Sequence, residues 1–265
     1  MLFPCRSGPA ACIEYPPLPG VAMYNLLISL ALGVAVAAAV ALGTGFGWIA
    51  AIVPGLVAAI AAYLLLARRT SKKLEVLFES MQKDLQAQRL DKAVATLQGG
   101  FVLAPWQFLT AAQLHSAIGQ ILYVKQDFEA ALPHLEKSWV RRWVARGMLA
   151  AAKYKKRDLD GALATFEEAA KASKKEGLLW SAYAWVLEES GRHEDAIRVL
   201  GRAVEANKSD EKLKASLQAL QNGKKLKLGK VYSNEWFQFH LERPPTQLVG
   251  GPGGFRGNRR ALYGR

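Results

Sequence analysis

Between Glu14 and Arg68 the chain runs for 53 residues without a charged side chain. That absence excludes a wholly soluble protein on sequence grounds, since such long apolar stretches are what a bilayer core demands. Cysteine is almost missing too. Cys5 and Cys12 are the two in 265 residues, too few to staple a fold and expected to be inert free thiols in a cytoplasmic tail. Signatures of catalysis are also lacking. The four histidines, His115, His134, His193 and His240, have no metal-ligand spacing, and no Gly-rich phosphate loop or nucleophile motif is present. Asp158 and Asp160 flank a turn, where carboxylates serve as helix caps. No enzyme, cofactor or metal centre is therefore expected.

What fills the charge-free stretch is two apolar runs, Tyr24–Leu42 and Trp48–Ala67, joined by Gly43-Thr44-Gly45-Phe46-Gly47. Each has about the 20 residues that span a bilayer, and in lipid each must satisfy its own backbone as a helix. The sequence thus predicts an antiparallel transmembrane hairpin over residues 23–67. Small residues at four-residue spacing, Gly33, Ala37 and Ala41 facing Gly55 and Ala59, would let the helices approach closely. Pro54 is expected to kink the second. Arg68-Arg69-Thr70-Ser71-Lys72-Lys73 follows the second run while the turn is uncharged, so the positive-inside rule places both termini in the cytoplasm of a bacterial-type inner membrane. Residues 1–22 are rich in proline, show no periodicity and suggest a disordered extension, or an over-long reading of the start preceding Met23.

From Leu74 to about Asn222 helix formers dominate, and internal repeats are the first thing to seek. The clearest unit is Gly177–Asn207. Trp180, Tyr183, Ala184 and Leu187 fall on one face of a first helix, Gly191 ends it, and Ala196, Leu200 and Ala203 line the facing side of a second. Small Ala196 sits where two antiparallel helices would cross. This pattern resembles the tetratricopeptide repeat, a helix–turn–helix whose small positions match Ala184, Ala196 and Ala203 and whose turn glycine matches Gly191. Earlier units resemble it more weakly, through Ile118, Gly119, Leu122, Ala131, Leu135 and Ser138, through Leu149, Ala150, Ala162, Phe166 and Ala169, and through Ala93 and Leu97, with Met81 where a small residue is expected. The third unit either begins near Trp143 or continues the preceding helix through Arg141-Arg142. Gly99–Pro105 lengthens the first interval and carries apolar residues that must pack somewhere. Ser209 is expected to cap a last helix, Asp210–Leu220, giving the array a polar end.

The resemblance implies an all-α solenoid over residues 68–222 with a concave surface made by the first helix of each pair. On the repeat frame that surface shows Gln113, Gln120, Tyr123, Tyr154, Trp185 and Glu189, suited to an extended peptide or partner helix. The alternative for Tyr123 and Trp185 is packing against the next repeat. A second cluster, Trp139, Arg141, Arg142, Trp143 and Arg146, could grip lipid headgroups, phosphate or a carboxylate-rich partner; the blander alternative buries the tryptophans between repeats and solvates the arginines.

Residues 223–265 carry nine Lys/Arg against two Glu, more than half of the net +13 of the whole chain. The first part alternates weakly, Phe237, Phe239 and Leu241 against Trp236, Gln238 and His240, and reads as a short strand or an extended segment lying in a groove, the protein's own included. Beyond Pro244-Pro245 the Gly-rich end, with Arg256, Arg259 and Arg260, is too polar to fold alone and could contact anionic lipid, or RNA less readily, or nothing. The sequence therefore points to a membrane-anchored scaffold that binds another protein in its groove. A structural subunit of a larger membrane assembly and a membrane tether for RNA or ribosomes are the alternatives.

Overall fold

Helix is the one regular element that these residues support, and the computed structural model, which describes residues 23–44 and 47–244, contains twelve α-helices and no strand among them. The extension 1–22, the tip of the apolar turn and Arg256, Arg259 and Arg260 lie outside the described residues. The chain divides into two compact units. One takes residues up to Glu79 together with Gly99–Ala111; the other takes Ser80–Gln98 and Ala112 onward.

The first unit contains α1 (Tyr24–Thr44) and most of α2 (Gly47–Gln86). Both are long and apolar enough to cross a membrane. α2 does not stop at Ala67. It continues for 40 residues in all, roughly 60 Å at 1.5 Å per residue, because Arg68–Gln86 is mostly Arg, Lys, Leu, Glu and Gln and contains neither glycine nor proline. The helix is continuous through Pro54. α1 and α2 meet at their small residues: a Cβ placed on Gly33 would come within 2.6 Å of the Ala59 Cβ, and one on Gly55 within 2.7 Å of the Ala37 Cβ. Any larger side chain at either glycine would push the backbones apart. At the other end of the pair, buried Asn25 donates from Nδ2 to Thr70 Oγ1 at 3.1 Å.

In the second unit the end of α2 pairs with α3 (Leu90–Gly99), where buried Asp84 receives Lys92 and the Thr96 hydroxyl. Then follow α4 (Thr110–Val124) with α5 (Phe128–Glu136), α6 (Trp143–Lys155) with α7 (Leu159–Ala172), and α8 (Gly177–Glu189) with α9 (His193–Ala206). The crossing alanines Ala93, Ala131, Ala162 and Ala196 are all fully buried. A Cβ on Gly119 would meet the Leu135 side chain at 2.8 Å, so glycine sets the crossing in the second pair. Lys137–Arg142 lies outside any helix; the third pair therefore starts afresh at Trp143 and does not extend α5.

Each turn within a pair carries one left-handed residue, five positions before the crossing alanine: Gln88, Gln126, Arg157 and Gly191. The hydrogen bonds repeat with it. Arg157 N–H reaches Tyr154 O and Asp158 N–H reaches Lys153 O, and the same two bonds recur at Gln88, Gln126 and Gly191. This is the Schellman closure, which satisfies the last carbonyls of the first helix. Three non-glycine residues accept a conformation that favours glycine, so the turn geometry is imposed by the packing of each pair. Asp127 and Asp158 then cap the second helices through the amides of Ala130 and Gly161. The end helix α10 (Glu211–Gln221) is capped by Asp210, not Ser209: its carboxylate accepts from the amides of Lys212 and Leu213 at 2.9 and 3.3 Å.

After α10 come two short helices, α11 (Leu228–Tyr232) and α12 (Asn234–Phe237). Of the two readings of this segment, the short strand does not form and the chain is helical in place of extended, while the segment does pack against the protein's own first helices. Trp236 and Phe239, which alternation would set on opposite sides, are three residues apart, and a helical turn brings both to one face, where both are fully buried.

Candidate groove filled by its own C-terminal segment

The first helices α4, α6 and α8 supply the surface on which that face lies. Tyr123, at the end of α4, is completely buried and donates its hydroxyl to the Phe239 carbonyl at 2.6 Å. Its ring packs edge-on to Phe128 and beside His240. On α8, Trp185 packs edge-to-face against Trp236 with centroids 5.4 Å apart, and Tyr154 of α6 stands edge-on to Trp185. Ser181 shares a buried hydrogen bond with the Tyr232 hydroxyl at 3.0 Å. Between them, α6 presents Gly147, where a Cβ would fall 2.7 Å from the Phe239 ring. The glycine leaves the space that the phenylalanine fills. Trp236 closes the segment on itself, donating from Nε1 to Glu242 Oε2 at 2.6 Å.

The electrostatics follow from this burial. Loss of water raises the Tyr123 hydroxyl, whose bond to a carbonyl uses its proton, and pushes Tyr232 up to about 12. His240 is lowered to about 4, by burial first and by Lys155 second. Lys155 lies over the Phe128 ring at 4.4 Å and is itself lowered by burial. Tyr154 is raised by burial and then by the charge of Glu189.

Tyr123, Tyr154 and Trp185 thus come together, and two of them are covered by residues 232–240, not by the next repeat. Gln113 and Gln120 are half-buried on α4, and Glu189 is exposed at the end of α8. The basic–aromatic cluster is divided between exposed and buried residues. Trp139 and Trp143 are half-buried, Arg141 lies over the Trp139 ring, and Arg142 is exposed, but Arg146 is buried and ion-paired with Glu168.

Sequence spacing gave no hint of one pair: His115 and His134, nineteen residues apart, meet across α4 and α5 with Nδ1 atoms 3.0 Å apart. One ring donates and the other accepts, which requires at least one neutral ring. His115 is lowered to about 4 by burial, then His134, then Lys137, and His134 is lowered by burial and Lys137. No cluster of three or more His, Cys, Asp or Glu suited to a metal occurs among the described residues.

The tetratricopeptide repeat family matches this chain over residues 153–220, from the last residues of α6 through α7, α8, α9 and α10. None of the curated proteins matches its sequence. Among solved structures it is similar to the crystal structure of MamA protein, at 16% identity and a TM-score of 0.42 over 69% of this chain and 91% of that one. It is also similar to the MamA RS-1 ArsTM double mutant, at 15% identity and a TM-score of 0.44 over 63% of this chain and 92% of that one. Neither likeness bears on the role of any residue. The helical pairs, their crossing alanines and the family match together make the second unit a tetratricopeptide-like helical repeat array, a fold suited to holding other proteins.

Proposed function

We propose that the chain is a non-catalytic scaffold of bacterial type, anchored in the inner membrane by residues 23–67, with both termini and the repeat array of residues 68–222 in the cytoplasm. The array recruits a partner protein through its concave face, using Gln113, Gln120, Tyr123, Tyr154, Trp185 and Glu189. The observation that carries this reading is the occupied groove. A linear segment with two aromatic anchors, Trp236 and Phe239, lies on α4, α6 and α8, so this surface accepts a short peptide-like chain. A partner presenting two aromatic anchors three residues apart would use the same pockets once residues 228–242 withdraw.

The anchor reading rests on the apolar side chains that α1 and α2 leave uncovered, among them Leu27, Leu30, Val34, Ile52, Val53 and Leu56. A core helix of a soluble protein hides such residues, whereas lipid solvates them. The orientation is supported by Arg68, Arg69, Lys72 and Lys73, which follow the second apolar run, through the positive-inside rule. The basic residues of 223–265 add attraction to an anionic inner leaflet. Anchoring keeps groove and membrane partners at high effective concentration.

The test is a mild-detergent pull-down of the full chain at low and high salt, beside Trp236→Ala. The expected result is one or two stoichiometric proteins that survive high salt and increase with Trp236→Ala, because the resident segment is weakened. Recovery of nucleic acid or ribosomal proteins alone, lost as salt rises, would favour the tether and defeat the groove.

A further inference from the structure

The segment that lengthens the first repeat interval has apolar side chains with no soluble role. Gly99–Leu109 holds no charged residue, and none occurs from Ala93 to Val124. Within it a 3-10 turn at Gly100–Leu103 is followed by Trp106 and Phe108. Val102 is 77% exposed, Phe108 56% and Trp106 39%. Three such side chains on one short loop leave apolar surface in contact with water, which is unfavourable.

The loop is fastened to the start of α1. Tyr24 N–H donates to the Pro105 carbonyl at 3.1 Å and Asn25 N–H to the Trp106 carbonyl at 3.4 Å, satisfying two of the amides that a helix start leaves open. The Tyr24 and Trp106 rings meet edge-to-face at 5.5 Å. The Asn25–Thr70 hydrogen bond sets this helix start level with Thr70, between Arg68-Arg69 and Lys72-Lys73 of α2. The loop is therefore held where an uncharged span gives way to cations. On the membrane reading above, that level is the lipid headgroup layer, where tryptophan and tyrosine rings are most stable.

We infer that Gly99–Leu109 is an interfacial anchor: Val102, Trp106 and Phe108 insert into the cytoplasmic-side headgroup and upper acyl region of the bilayer that α1 and α2 span. The occupant is lipid and not a protein, because the loop belongs to the same compact unit as the hairpin and is bonded to the start of α1 at the hairpin's polar end. The insertion rests on apolar transfer, so it is insensitive to salt.

The experiment uses the full chain in phosphatidylcholine–phosphatidylglycerol vesicles, with Cys5→Ser and Cys12→Ser as background. Phe108→Cys, and separately Val102→Cys, carries an environment-sensitive fluorophore, with Val57→Cys in α2 and Arg198→Cys in α9 as references. Spin labels on lipid are placed near the headgroup or deep in the acyl chain. The expected result is blue-shifted emission at both loop positions, quenched severalfold more by the shallow label than by the deep one and unchanged at high salt. Arg198→Cys stays unquenched and Val57→Cys is quenched by the deep label. If Val57→Cys is quenched while the loop behaves like Arg198→Cys, the anchor stands and the inference falls. Blue-shifted loop emission without lipid quenching means protein covers the loop, and likewise overturns it. Absence of quenching at Val57→Cys defeats the membrane reading and the inference together.

Discussion

A glycine inside a helix ordinarily costs about 1 kcal/mol relative to alanine, and Gly147 lies in the middle of α6. On an open concave surface Gly147→Ala would therefore stabilise the array. With the Phe239 ring 2.7 Å from the position of the new Cβ, overpacking reverses the sign, at a cost of about 1–3 kcal/mol. The expected outcome is lower stability in urea unfolding of the full chain in detergent, with faster proteolysis after residue 223. A gain in stability would mean that Phe239 does not occupy the groove. The alanines and the Gly191 turn were legible at this scale because their size or φ requirement is visible in the residue type. Gln88, Gln126 and Arg157 were not, since nothing in glutamine or arginine announces a left-handed backbone. The burial of Arg146 was equally silent: its partner Glu168 lies on the next helix, and a basic run reads the same whether solvated or paired.

Among the elements, the helix pairs followed from periodicity, whereas the C-terminal segment did not. Alternating aromatics over six residues fit a strand and a helical turn about equally, and the choice was made by the pockets of α4, α6 and α8, which lie far away in the chain. The long α2 was missed for a related reason. Hydropathy marks where a span leaves apolar surroundings, not where its helix ends. The docked segment also predicts a pH dependence. His240 falls from the ordinary 6.5 to about 4 on folding, facing Tyr123, Phe128 and Lys155. Between those values the unfolded state binds the proton more readily, so stability present at neutral pH is lost as pH falls from about 6.5 towards 4. His115, beside His134 and Lys137, acts in the same direction. Thermal unfolding should therefore occur at lower temperature at pH 5 than at pH 7. Double replacement of His240 and His115 by glutamine should flatten that dependence; an unchanged slope would mean that neither ring titrates as its burial requires.

At the scale of the whole molecule, the two compact units carry different kinds of claim. The repeat array is a fold, established by its helix pairs, crossing alanines and family match; the anchor and the partner are a function built on it. The array was legible because a repeat states the same packing problem several times. The partner was not, because the surface that would receive it is shaped for the chain's own Trp236 and Phe239. The most direct test of the scaffold reading places a photo-crosslinking residue at Glu189, exposed at the end of α8, and at Arg198, exposed on α9, with the full chain expressed in intact cells. A discrete adduct with a second protein is expected from Glu189, strengthened by Trp236→Ala, and none of the same mass from Arg198. Equal adducts from both positions, or none from Glu189 with the segment released, would contradict that reading.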